Sequence, residues 1–90
     1  MNRLSPISNP TEDIVNSLPD LKPGARSDHV KRAQALLLAA GFNPGALDGI
    51  YTTAVNGPTR LAVQAFQASR GLVQDANIGV KQTWPALLGV

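Results

Sequence analysis

The sequence has 90 residues, 43% of them hydrophobic, no cysteine and a formal net charge of +2. This length supports one small domain with a tail, and a chain of this size buries only about 60–65% of its extended surface, too little for a large enclosed active site. Without cysteine there are no disulfides, thiolate zinc sites or cysteine nucleophiles, and without an apolar run of about 18 residues no helix spans a membrane.

Residues 1–20 mix Pro6, Pro10 and Pro19 with Ser, Asn and acids, carry a net charge of −2 and read as a largely irregular tail. Within it, "PTEDIVNSL" offers a short helix with Thr11 as N-cap and acids in the first turn. Ile14, Val15 and Leu18 would dock it. The opening "MNRLSPISNPTEDIV" lacks the apolar centre of a signal peptide. Residues 21–90 carry +4 and form the domain. Such a mild basic excess suits a polyanionic partner or serves solubility alone.

Pro23-Gly24 makes a turn, and Ser27 with Asp28 behind it starts a helix predicted over 28–40. Val30, Ala33, Leu37 and Ala40 share one face, widened by Leu36, and Gly41 stops it. Pro58 opens a second helix over 58–70, where its missing N–H is not needed. Its face is Ala62, Ala65, Phe66 and Ser69, flanked by Leu61 and Val63, and Gly71 stops it. A third helix over 82–88 puts Val80, Trp84, Leu87 and Leu88 on one side. Pro85 must lie in its first turn, and Gly89 ends it.

All three helices end in Gly followed by an apolar residue: Gly41-Phe42, Gly71-Leu72, Gly89-Val90. This is the pattern of a left-handed glycine cap with the next side chain folding back on the helix. An offset of 30 aligns Gln34 with Gln64, Ala35 with Ala65, Gly41 with Gly71 and Phe42 with Leu72, and Asp48 aligns with Asp75 once three residues are dropped. One such unit cannot bury its apolar face alone, so consecutive units pack together. The fold class is all-α: a small three-helix bundle of repeated helix-turn units, with no sheet beyond short turns.

Little in the chain points to catalysis. Asp75-x-Asn77-x-Gly79 resembles the start of a calcium loop, but the positions that need Gly and Glu hold Val80 and Ala86. His29 is the only histidine and reads as a surface residue, so no metal site is expected. Asp48 and Asp75 sit in equivalent turns. An Asp before a small turn residue usually caps its own backbone, a role favoured over acid catalysis as a glycosidase pair. No nucleophile elbow, P-loop or dinucleotide fingerprint occurs. Lys22, Arg26, Lys31 and Arg32 cluster at the start of the first helix, without the interleaved aromatics of a nucleic-acid binder.

Taken in order, Leu21-x-x-Gly24, Val30-x-x-x-Gln34, Asp48-Gly49-Ile50-Tyr51, Gly57-Pro58-Thr59, Ala62-Val63-x-x-Phe66-Gln67, Arg70-Gly71-Leu72, Thr83-Trp84 and Leu87-Leu88-Gly89 resemble the small three-helix peptidoglycan-binding domain attached to many bacterial and phage cell-wall hydrolases. The resemblance covers about residues 20–90. Three features depart from it. "TTAVN" separates Tyr51 from Gly57, Ala76 stands where the second turn prefers Gly, and one extra residue precedes Trp84, with Pro85 after it.

The resemblance implies a non-catalytic module that holds a fused or partner cell-wall hydrolase, such as a phage endolysin, on peptidoglycan. It implies contacts to glycan strands and stem peptides, no cofactor, no catalytic residue, no nucleic acid or membrane partner, and a monomer. A peptidoglycan-binding surface is expected at Asp48, Gly49, Tyr51, Asn56, Thr59, Arg60 and Thr83, with Tyr51 part-exposed and Trp84 in the core. The location implied is the cell wall, periplasm or exterior. With no export signal visible, a phage protein released at lysis is one route, a virion protein is another, and an N-terminal fragment of a longer enzyme is a third reading. The alternatives are a protein-interaction or regulatory module and, behind it, a basic nucleic-acid binder. The cysteine switch of related prosegments is impossible here.

Overall fold

The computed structural model describes residues 18–89. The expected short helix near residues 11–18, with Ile14 and Val15, falls almost wholly outside them. Three helices are present among the described residues: α1 (Asp28–Ala39), α2 (Pro58–Ser69) and α3 (Thr83–Leu88). Each lies within a residue of its predicted bounds.

Local chemistry sets these ends. The Ser27 hydroxyl accepts from the Val30 amide, and Asp28 occupies the first turn of α1. Pro58 opens α2 behind Gly57, which has no side chain to cap with. At the far end of α1 the amides of Gly41 and Phe42 donate to the carbonyls of Leu38 and Leu37, at 3.0 and 2.8 Å. At the end of α2 those of Gly71 and Leu72 donate to Ala68 and Gln67, at 3.2 and 2.8 Å. Both are Schellman caps, which need a left-handed residue at the glycine. The φ values of Gly41, Gly71 and Gly89 are 94°, 71° and 78°, as the repeated endings predict. Phe42, folded back by its cap, meets the Phe66 ring edge-on at 5.7 Å and ties the end of α1 to α2.

The core comprises Leu18, Leu21, Val30, Ala33, Leu37, Tyr51, Ala62, Val63, Phe66, Ile78, Trp84 and Leu87. Two predicted faces need correction. On α1 the buried set is Val30, Ala33, Gln34 and Leu37, while Ala40 is exposed. On α2 it is Thr59, Ala62, Val63, Phe66 and Gln67, while Ala65, Ser69 and Leu61 face solvent. The true stripe on each helix runs through a glutamine, which an apolar count discards.

An extended strap enters before α1. Leu18 is buried, and the Pro19 carbonyl accepts from the Trp84 indole at 2.8 Å. Leu21 then pairs antiparallel with Ile78, and Arg26 with Ile50. These isolated bridges are the extended pairing found among the described residues, so the all-α reading stands. One strap thus crosses the turns that follow both α1 and α2.

Two stability measurements check this picture. Gly71→Ala is expected to cost about 1 kcal/mol, since an added Cβ meets nothing within 4 Å and the left-handed φ carries the whole penalty. Trp84→Ala is expected to cost about 3–5 kcal/mol in denaturant titration, because Trp84 is fully buried. Equal small effects at both positions would contradict the packing described.

Candidate functional site

Asp48 and Asp75 each begin a tight turn, and each turn is clamped by a buried glutamine. From α1, the Gln34 Nε2 donates to Asp48 Oδ1 (3.2 Å), to the Ile50 carbonyl (3.3 Å) and to Thr59 Oγ1 (3.0 Å). Its Oε1 accepts from the Gly49 amide at 2.9 Å. From α2, the Gln67 Nε2 donates to Asp75 Oδ1 (3.0 Å), to the Asn77 carbonyl (3.0 Å) and to Thr83 Oγ1 (3.1 Å). Its Oε1 accepts from the Ala76 amide at 3.1 Å. Both amides are fully buried, so each polar atom must find a partner inside.

The two hubs match atom for atom. Gln34, Asp48, Gly49, Ile50 and Thr59 correspond to Gln67, Asp75, Ala76, Asn77 and Thr83. The repeat of the polar hub is therefore 33 residues at the glutamine, not the 30 that aligns the helix ends; Gln64 is only half-buried and holds no equivalent place. The signal was present in the sequence as Val30-x-x-x-Gln34 and Val63-x-x-x-Gln67. Gly49 has φ 75° and Ala76 has φ 64°, so Ala76 takes the left-handed conformation at the place a glycine holds in the first turn.

Asp48 and Asp75 cap their own turns, as expected: Oδ1 accepts from the amide two residues on, at 3.0 Å for Ile50 and 2.9 Å for Asn77. The Ile50 amide, and after it the Gln34 side chain, hold the Asp48 carboxyl below its ordinary pKa. Tyr51 is fully buried, which corrects the expectation of part exposure. Its hydroxyl donates to the Ala76 carbonyl at 2.6 Å and joins the two hubs. Burial pushes its pKa up to about 12, with the Arg60 charge working in the opposite direction.

The expected binding residues therefore divide. Asp48 and Asn56 are exposed and Arg60 is half-buried. Gly49, Thr59 and Thr83 are buried, and the two threonine hydroxyls are held by the glutamines. Thr59 also donates to the Pro44 carbonyl at 3.0 Å. A concave surface lies at the second turn: a groove of about 420 Å³ bordered by residues that include Asp20, Lys22, Asp75, Asn77, Gly79 and Lys81. Of the expected residues, Thr83 alone borders it. Asp20, delivered by the strap, accepts from the Val80 amide at 3.3 Å. Among the described residues no cluster of His, Cys, Asp or Glu could hold a metal ion, and no helix is long and apolar enough to cross a membrane.

The family described as "Putative peptidoglycan binding domain" matches residues 26–87, a span that holds both hubs. Among solved structures, the chain is similar to the SleB N-terminal domain, with TM-score 0.71 and 29% identity over 81% of this chain and 93% of that one. It is also similar to a Burkholderia AP3 phage endolysin, with TM-score 0.68 and 39% identity over 79% of this chain and 25% of that one. The chain thus spans a quarter of the endolysin's length. No curated protein matches it.

Gln34→Met and Gln67→Met keep the volume but strand the turn amides, and each is expected to cost about 2–4 kcal/mol by denaturant titration. Gly49→Ala should cost more than Gly71→Ala, because its Cβ would lie 2.8 Å from the Ser27 carbonyl oxygen. The Tyr51 phenol binds its proton more tightly in the folded chain than in the unfolded one. Its contribution is therefore complete below pH 10 and is lost as pH rises towards about 12. Tyr51→Phe should remove that part of the alkaline loss of stability, and an unchanged alkaline profile would count against the buried phenol.

Proposed function

This chain belongs to the peptidoglycan-binding domain family, and on that premise we propose that it anchors a cell-wall hydrolase, fused or partnered, to its insoluble substrate. Its own function is non-catalytic binding of peptidoglycan, in a cell-wall or extracellular setting. The observation that carries the reading is the family match over residues 26–87, which takes in both helix-turn units. Attachment raises the local concentration of bonds at a tethered active site without adding a catalytic contact. The likeness to a quarter of a phage endolysin supports a lytic enzyme as the partner and a phage lysis protein as the setting.

The site chemistry agrees with binding rather than bond cleavage. Asp48 and Asp75, the carboxylates of the two equivalent turns, each hold a backbone amide and a glutamine amide. A general acid needs a carboxyl whose pKa is raised towards the working pH; that of Asp48 is lowered. Around the first turn, Asp48, Asn56 in the following loop and Arg60 on α2 are the proposed contacts that reach the surface. Gly49, Tyr51, Thr59 and Thr83 act by shaping the backbone that is presented.

Purified sacculi should pull the chain down at physiological salt, whereas a DNA fragment should show no shift. The chain alone should release no soluble muropeptides. Binding to DNA but not sacculi would refute the reading, and muropeptide release by this chain would refute its non-catalytic part.

A further inference from the structure

Resting on the wall-binding reading, we infer that the groove at the second turn takes the stem peptide of the wall, a short peptide bearing a free carboxylate and a free ammonium, and does not grip the glycan. The first ground is the placing of the aromatics. Sugar rings are commonly held against an exposed aromatic face. Here Tyr51, Phe66 and Trp84 have no exposed surface, and Phe42 is half-buried with its ring packed edge-on to Phe66. These are all the aromatic residues of the chain. No fully exposed Phe, Tyr or Trp ring is presented for stacking, and at the groove a glycan strand would meet only turn backbone and polar or aliphatic side chains.

The second ground is charge. Asp20 and Asp75 border the groove together with the exposed Lys22 and Lys81. A groove with both signs of charge complements a ligand with both signs. The glycan backbone, whose carboxyls are consumed in the amide link to the peptide, has neither. The carboxylates are also fixed in place. Asp20 Oδ1 is held by the Val80 amide, and Asp75 Oδ1 by the Asn77 amide and Gln67. Those bonds use one oxygen of each and leave the second for a ligand ammonium, an arrangement that needs no reordering on binding.

The third ground is space. The groove, at about 420 Å³, falls within the size range of small-ligand sites, about 300–1,000 Å³. Gly79 borders it without a side chain. Its φ lies outside the left-handed region, and an added Cβ would meet only Asp20 Oδ1, at 3.4 Å. A larger residue can therefore stand there without backbone strain and occupy the groove.

The test is a sacculus pull-down of the full chain with two soluble competitors: stem peptides released from the wall by an amidase, and uncharged N-acetylglucosamine oligomers in place of the glycan strands, since the strands an amidase leaves behind carry the carboxylates it frees. The peptides should compete and the oligomers should not. Gly79→Leu should weaken retention by filling the groove, and separately Lys22→Glu with Lys81→Glu should weaken it about tenfold, the loss expected for a charge-assisted contact. Lys31→Glu with Arg32→Glu makes the same charge change on the exposed side of α1 and should weaken it far less. Circular dichroism checks that each variant folds; if Gly79→Leu does not fold, the lysine pair decides. Competition by the oligomers alone, or equal loss from both charge-reversed pairs, would overturn the stem-peptide assignment while leaving wall binding intact. Failure of the parent chain to bind sacculi would overturn both.

Discussion

Two buried carboxamides organise this domain. A glutamine side chain has two N–H donors and one acceptor oxygen, and in both Gln34 and Gln67 the two hydrogens are shared among three acceptors while the oxygen takes a turn amide. Each amide fixes an Asp, a turn amide, a turn carbonyl and a threonine at once. The threonines are the second residue of α2 and the first residue of α3. Each hub therefore ties one helix, the turn after it and the start of the next helix into one body. A small domain with little apolar core gains from such a network only when it is fully satisfied, because an unpartnered buried amide would cost more than it gives.

The hubs do not stand apart. Tyr51 leaves the first turn and hydrogen-bonds the carbonyl of Ala76 in the second. The strap from Leu18 to Arg26 crosses both, pairing with Ile78 and Ile50, and its Pro19 carbonyl receives the Trp84 indole. The aromatics are thus committed to joining repeats, which explains why none is free at the surface. The surface is left to turn backbone, short polar side chains and charges.

This division of labour bears on how the domain meets the wall. Residues that the sequence motifs led one to expect at the binding surface, Tyr51 and Thr59 among them, lie inside and shape the turns. The same strap that closes the core brings Asp20 and Lys22 to the edge of the second turn, where they face the residues from Asp75 to Lys81. The open side of the domain is therefore made by chain segments far apart in sequence. The second turn, with Ala76 in place of a glycine, is where the groove lies.

The sequence by itself determined the helices, their ends and the family. Pro58, Ser27 and the glycines at 41, 71 and 89 act within a few residues of themselves, so their effects are local and can be read off the chain. Trp84 was legible as core because its size leaves few other places for it. The burial of Gln34 and Gln67 was not, since hydropathy marks glutamine as a surface residue, and only a partner 14 or 8 residues away makes its burial affordable. Nor could Tyr51 be placed, because its hydroxyl partner lies 25 residues on, in the other repeat. The groove was hidden for the same reason. Asp20 meets Val80 across 60 residues, and only closing the strap over both turns decides which charges share one surface.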